Sequence, residues 1–152
     1  MGAERCDLMT WQSLELVHGR TVGRVCIIDH GYPLAIPINY RVTDDDGEIR
    51  FIVRTAPDTL IGRYEGPASI EVDEIDLENG SAWSVIARGA MKRLIGTHEY
   101  LDPNPLVTEG RHTWLELSVL SISGRRFTVS TESDGYTVDW ELAAPEVARA
   151  NE

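Results

Sequence analysis

The sequence has few cysteines, and it has no long hydrophobic run and no metal-binding pattern. Only two cysteines, Cys6 and Cys26, occur among 152 residues, so a disulfide framework is not expected. The four histidines are scattered, with no pair at helical spacing that could hold a zinc ion. No apolar stretch reaches the roughly eighteen residues that a membrane helix needs. We therefore predict neither a metal site nor a transmembrane helix.

Positive charge is also scarce. The chain has 14 Lys and Arg residues against 25 Asp and Glu residues, for a formal net charge of −11. Such a chain lacks the positive surface that binds phosphate backbones, so nucleic acid is not expected as a partner. The N-terminal residues have neither the basic and apolar pattern of a signal peptide nor the pattern for myristoylation. A cytoplasmic location is predicted.

Short β-branched and apolar runs, separated by turn residues, make up most of the chain. Helical spacing of Leu8, Trp11 and Leu14 predicts a helix over about residues 8–18, and a second, short helix is expected at about 57–64. Pro37 marks an edge or a bulge, because proline cannot donate to a ladder. A bend or close packing is expected at Gly89. Strands are predicted at about 22–29, 34–42, 49–55, 68–76, 82–95 and 111–129, the last with a bend or turn at Gly124.

These elements predict one mainly β domain. Six antiparallel strands with a few short helices are typical of a small, six-stranded antiparallel β-barrel. The dipeptides Asp46-Gly47 and Asn79-Gly80 are strong hairpin signals between consecutive strands. Residues 1–130 are assigned to the barrel domain, and the polar and acidic residues 131–152 are predicted to form a loosely held C-terminal tail.

The order of the motifs resembles the pyridoxamine 5′-phosphate oxidase-like, FMN-binding split β-barrel proteins, and most closely their short bacterial branch. The resemblance covers about residues 8–127. It implies a homodimer with two FMN sites at the subunit interface, and in some relatives a deazaflavin or haem takes the same cleft. The matching segments are GRVCIIDHGYPLAIPINYRV, IRFIVRTAP, ASIEVDEID, AWSVIARGAMKRL and WLELSVLSISGRRF.

The resemblance also implies a set of cofactor-binding residues. It assigns Arg54 and Thr55, at the end of the third predicted strand, to the FMN phosphate. It places the flavin ring against the second strand and adds a segment of the fifth strand, which the partner subunit would contribute. The residues on these two strands are Pro37, Ile38, Asn39, Trp83, Ser84 and Arg88.

The phosphate loop departs from the family pattern. Leu60 stands where a lysine is expected, and Asp58 adds a negative charge beside the assumed anion site. Two interpretations therefore stay open for residues 54–64. One is a weakened phosphate site, to which Arg63, Arg88 or Lys92 would have to restore charge. The other is a capped helix, with Thr55 as N-cap and Asp58 favouring the helix dipole.

No nucleophile–base pair is evident, so no catalytic residue is predicted. The acids at 71, 73, 74 and 76 are predicted to be surface residues on one strand. This pattern suits a flavin protein, in which the cofactor carries out the electron chemistry. The leading hypothesis is an FMN-binding oxidoreductase that acts on a small molecule. The alternatives are a deazaflavin-dependent reductase and a non-catalytic binding protein with a degraded flavin site.

Overall fold

A computed structural model describes residues 4–96, 101–103, 105, 110 and 113–128. The predicted C-terminal tail and most of the connection between residues 97 and 112 lie outside the described residues. No described helix has the length and apolar character needed to cross a bilayer. The elements are β1 (Glu4–Leu8), α1 (Thr10–His18), β2 (Val22–Asp29), β3 (Tyr32–Asp45), β4 (Glu48–Thr55), a 3-10 turn (Ile61–Arg63), β5 (Gly66–Asp76), β6 (Ser81–Leu94) and β7 (Thr113–Thr128).

The strands form one antiparallel sheet that closes on itself. The strand order is β1-β7-β4-β3-β2-β5-β6, and β6 also pairs with β7, which closes a six-stranded barrel. The predicted six-stranded barrel is therefore confirmed. β1 is an additional strand that pairs with the second half of β7, from Leu8 opposite Gly124 to Glu4 opposite Thr128. The sequence did not predict it.

Alternation along the strands builds the core. On β3 the side chains of Ile38, Tyr40 and Val42 point into the barrel and are at most 9% exposed, as the period-two pattern predicts. The helix α1 adds Leu14 and Val17 to the same core. The hydroxyl of buried Tyr40 donates to the carbonyl oxygen of Val17, and burial raises the pKa of this tyrosine. The helix is thus fixed to the barrel by apolar packing and one buried hydrogen bond.

Two glycines of the barrel allow close packing. At Gly89 the pairing of β6 with β7 shifts register, and an added Cβ would overlap the carbonyl oxygen of Ser118. This confirms the predicted close packing. A turn at Gly124 is wrong, because β7 continues through it to Thr128 as one long strand. Gly124 instead leaves room for the side chain of Ser13 on α1.

The barrel is split between β3 and β4. β3 pairs with β2 along residues 32–39, but it pairs with β4 only from Tyr40 onward. No described strand therefore pairs with residues 36–39 on the β4 side. Pro37 lies on this part of β3, which confirms the predicted edge position. The split positions the candidate site.

The predicted short helix at 57–64 is wrong. Residues 57–60 form turns, and a single 3-10 turn follows at Ile61–Arg63 with Leu60 at its N-cap position. The hydroxyl of Thr59 donates to the carbonyl oxygen of Ala56 at 2.7 Å and accepts from the backbone N–H of Gly62 at 3.0 Å. A threonine that satisfies backbone groups in this way favours a turn over a helix. Thr55 is therefore not a helix N-cap.

Candidate functional site

An open groove lies where β3 and β4 diverge. Its volume of about 390 Å³ is within the usual range for small-molecule sites. One wall is the part of β3 that pairs with β2 but not with β4. The other wall is the end of β4 with the turn that follows it. The lining residues are Ile36, Pro37, Ile38, Asn39, Arg54, Thr55, Thr59, Leu60, Ile61 and Pro105.

The groove brings together the predicted residues of β3 and β4. Pro37, Ile38 and Asn39 lie on the part of β3 that does not pair with β4, and Arg54 and Thr55 lie at the end of β4. Their side chains alternate, so that Ile38 is buried in the core while Pro37 is exposed. The backbone of this stretch therefore borders the groove with donor and acceptor groups that the barrel ladder between β3 and β4 does not use.

The guanidinium of Arg54 lies in an ion pair. Its Nη1 is 2.9 Å from Oδ2 of Asp102, and its Cζ lies 5.5 Å from the ring centroid of Trp114. Both partners are mostly buried, with 19% of the Arg54 side chain and 25% of the Asp102 side chain exposed. The neighbouring Leu101 packs with Trp114 in a small apolar cluster outside the barrel. Burial and the ring contact hold the arginine in a defined position.

The two threonine hydroxyls are bonded to each other. Oγ1 of Thr55 lies 3.0 Å from Oγ1 of Thr59. Because the single proton of the Thr59 hydroxyl goes to the carbonyl oxygen of Ala56, the proton in this contact comes from Thr55. Thr55 is also only 4% exposed. Neither hydroxyl has a spare proton for a ligand in this conformation.

Leu60 and Asp58, the two residues of the loop that do not favour phosphate binding, lie in different places relative to the groove. Leu60 lines the groove and is 40% exposed, so an apolar side chain occupies the place where a lysine was expected. Asp58 is exposed and is not among the described lining residues. The alternative of a capped helix, in which Asp58 would favour the helix dipole, is wrong because residues 57–60 form turns. Arg63 is likewise exposed and outside the described lining.

The predicted residues of β6 lie away from this groove. Trp83 is a core residue at 7% exposure, and its Nε1 donates to Oε2 of Glu74 at 3.2 Å. Ser84 is half-buried and Arg88 is exposed. None of the three is among the described residues that line the groove. Lys92, considered as a substitute cation, forms an ion pair with Glu116 at 3.1 Å.

A second groove of about 370 Å³ shares Pro37 with the first, and four of its eight described lining residues are charged. Arg24 lies 3.2 Å from Glu71 and 3.5 Å from Asp73, and Arg20 pairs with Glu74. Burial, together with the nearby carboxylate of Asp73, raises the pKa of Glu71 to about 7. These acids are thus held in ion pairs that their spacing along one strand did not reveal.

The described residues contain no group of three or more His, Cys, Asp and Glu side chains arranged to hold a metal ion. Of the described residues that line the first groove, Arg54 alone carries a charge. The groove therefore offers hydrogen-bonding backbone, apolar side chains and one cation that is already paired. These features suit a flat organic ligand better than a metal ion or a highly charged anion.

Known proteins resemble the chain in sequence pattern and in fold. The family model described as pyridoxamine 5′-phosphate oxidase matches residues 11–126, which is most of the chain. No curated protein sequence is significantly similar. Among solved structures, a provisionally assigned pyridoxamine 5′-phosphate oxidase from Corynebacterium glutamicum has a TM-score of 0.67 at 23% identity, covering 86% of this chain and 98% of that chain.

Two structures from Mycobacterium smegmatis share the fold as well. An FAD-binding protein has a TM-score of 0.64 at 22% identity, with 82% of this chain and 99% of that chain covered. An FAD- and haem-binding protein has a TM-score of 0.62 at 17% identity, with 96% of this chain and 92% of that chain covered. At these identities the likeness establishes the split-barrel fold.

Proposed function

Because the chain belongs to the pyridoxamine 5′-phosphate oxidase family, we propose that it binds a flavin in the groove between β3 and β4. A flavin held there would supply electron exchange with a small organic molecule. The observation that carries the proposal is the groove itself, in which a stretch of β3 that does not pair with β4 faces apolar side chains beside one arginine. The flavin names of the similar M. smegmatis structures support the same ligand class.

The groove fits the ring of a flavin. The isoalloxazine ring is flat, with two apolar faces and a polar edge. Ile36, Leu60 and Ile61 offer apolar surface for the faces. The backbone of β3 beside the groove would supply polar groups for the edge, apart from the nitrogen of Pro37, which has no proton. The fit depends mainly on the shape of the groove and on the backbone of β3, so it requires no particular side chain at residues 36–39.

The groove fits the phosphate of FMN less well. A phosphate monoester carries nearly two negative charges at neutral pH, whereas Arg54 is already paired with Asp102. The hydroxyls of Thr55 and Thr59 are bonded internally. We therefore propose FMN as the cofactor but expect weak binding, with a dissociation constant on the order of micromolar or above. A deazaflavin or haem would be the alternative occupant of the same groove.

The proposal includes a cytoplasmic homodimer. Ser84 and Arg88 lie on β6, outside the described lining of the groove, and in this proposal they would contact a flavin bound by a second copy. Light scattering should then give a mass twice the 17.0 kDa of one chain. Arg88→Ala should weaken flavin binding in such a dimer. A monomer at micromolar concentration, or full affinity in the variant, would remove Arg88 from the site.

A second candidate function is ligand binding without catalysis. It is favoured by the lining, because no described residue of the groove is an acid or a histidine that could transfer protons. The two functions differ in what the bound flavin does. A catalytic site should allow the bound flavin, once reduced, to pass its electrons to a small acceptor faster than free flavin does. Equal rates for bound and free flavin would favour binding alone.

The flavin proposal is tested by absorption spectroscopy of the purified protein. Flavin bands, or saturable quenching of added FMN fluorescence, are expected. A parallel titration with a deazaflavin separates the two cofactors, since only the preferred one should saturate at micromolar concentration. A colourless protein that quenches the fluorescence of neither FMN nor riboflavin would refute the proposal. The same result would also refute flavin binding without catalysis.

A further inference from the structure

The contact between Arg54 and Asp102 joins two segments that are distant in sequence. The arginine ends β4, whereas the aspartate belongs to the segment before β7. Leu101 and Pro103, on either side of Asp102, are both buried. The carboxylate is therefore positioned by packing of its neighbours, and it meets the guanidinium at 2.9 Å at the wall of the groove.

A phosphate that binds Arg54 in the groove shares the guanidinium with this carboxylate, although Asp102 itself is not among the described lining residues. Arg54 is the charged member of the described lining, and its guanidinium already has an anion as a partner. A phosphate would have to displace Asp102, or else bind beside it. Displacement breaks a charge-assisted hydrogen bond, and binding beside it places like charges together. Either arrangement weakens binding of the phosphate group and leaves binding of the flavin ring unchanged.

We propose that Asp102 is a built-in competitor for Arg54, so that the groove binds FMN little more tightly than riboflavin. This inference rests on the proposed flavin function and adds its specificity. The ring and the ribityl chain supply the binding free energy. Asp102 cancels most of the additional binding free energy that the phosphate of FMN could contribute through Arg54. Asp102 is in this sense a specificity-determining residue, and it has no role in the electron chemistry.

The test compares FMN and riboflavin titrations of the wild type and Asp102→Asn. The variant keeps the size of the side chain but removes its charge. FMN should bind about tenfold more tightly, as for a contact of about 1.4 kcal/mol, and riboflavin affinity should change less than about twofold. The matched control is Asp45→Asn, which removes an exposed acid paired with Arg50 at 3.4 Å. It makes the same change in net charge and should alter neither affinity.

Three further results decide between explanations. Arg54→Gln combined with Asp102→Asn should abolish the gain for FMN, because the gain depends on the charge of Arg54. An FMN affinity that falls in Asp102→Asn would show that the aspartate orients the arginine for phosphate, and it would overturn the proposal. Equal gains for FMN and riboflavin would also overturn it. Should the amide disturb folding, as judged by circular dichroism, Asp102→Ser removes the same charge.

Inorganic phosphate separates this inference from the flavin function. Calorimetric titration should detect phosphate binding to Asp102→Asn and at least tenfold weaker binding to the wild type. If neither protein binds any flavin but the variant binds phosphate, the proposed function fails and the competition by Asp102 stands. If both bind flavin and phosphate equally well, the competition fails and the function stands.

Discussion

The hydroxyl of Thr55 donates to the hydroxyl of Thr59 across 3.0 Å, and this bond links the last residue of β4 to the turn beside the groove. The direction follows from the neighbouring contacts of Thr59, which gives its own proton to Ala56 and accepts from Gly62. One side chain thus satisfies three polar groups. The shape of this groove wall depends on a threonine for which the sequence pattern predicted no role.

Removing this hydroxyl should destabilise the protein. Thr59→Ala leaves the N–H of Gly62 and the hydroxyl of buried Thr55 without their partner, which should lower the free energy of unfolding by about 1–3 kcal/mol. Urea denaturation measures the change. Thr59→Ser keeps the hydroxyl and should recover most of the loss. A serine variant as unstable as the alanine variant would contradict the role of the hydroxyl.

Gly89 should not tolerate a side chain. In Gly89→Ala the new Cβ would overlap the carbonyl oxygen of Ser118, and relief requires a backbone shift between β6 and β7. We expect a loss of about 3 kcal/mol or more in thermal or urea unfolding. Gly19→Ala is the control, since a Cβ there meets nothing closer than 3.4 Å. Similar losses in both variants would argue against the close approach as the cause.

A lysine at position 60 should strengthen phosphate binding. Leu60 lines the groove beside Arg54, so Leu60→Lys adds a cation that is within the same cavity. FMN affinity should rise about threefold to tenfold, with riboflavin affinity nearly unchanged. Leu77→Lys, at another exposed leucine, controls for the added charge. An increase of the same size in both variants would mean that the effect is not local to the groove.

Glu71 should make stability fall as pH rises. Its folded-state pKa of about 7 lies above its ordinary value of 4.5, so the folded state holds the proton more tightly than the unfolded state. The stabilisation is complete below about pH 4.5 and is lost as pH rises through about 7. The charged groups that face Glu71 are Arg24 on β2 and Asp73 on its own strand.

The measurement is the midpoint of thermal unfolding between pH 5 and pH 8. Glu71→Gln stays neutral throughout, so it should lose less stability over this range than the wild type does. Glu48→Gln removes an exposed carboxylate and should follow the wild-type curve. If Glu71→Gln shows the same pH dependence as the wild type, the raised pKa is not the source of the slope.

Most of the barrel could be predicted from the sequence because its strands follow a simple period. Inward positions such as Ile38 and Val42 alternate with outward ones, and Asp46-Gly47 joins β3 to β4 with positive φ angles of 53° and 85°. β1 escaped prediction because ERCDL is short and mostly polar, and because Leu8 fits the helical spacing of Trp11 and Leu14. It is a strand only because β7 offers a partner edge.

The site could be predicted only where neighbours in sequence are also neighbours in space. Pro37, Ile38 and Asn39 line the groove as one strand segment, and Arg54 with Thr55 as another. The partner of Arg54 could not be predicted, because Asp102 lies 48 residues away and is positioned by the packing of its own neighbours. The turn at 57–60 was missed because a threonine side chain overrode the helical pattern.

The central claim is that the groove between β3 and β4 holds a flavin, and a fluorescence titration with a blocked groove tests it most directly. Leu60→Trp should fill part of the cavity from an exposed position, and Leu77→Trp adds the same side chain on the β5–β6 turn, outside the described lining. We expect saturable quenching of FMN and riboflavin fluorescence by the wild type and by Leu77→Trp, and at least tenfold weaker binding by Leu60→Trp. Equal affinity in all three proteins, or no quenching by the wild type, would show that the groove does not hold a flavin.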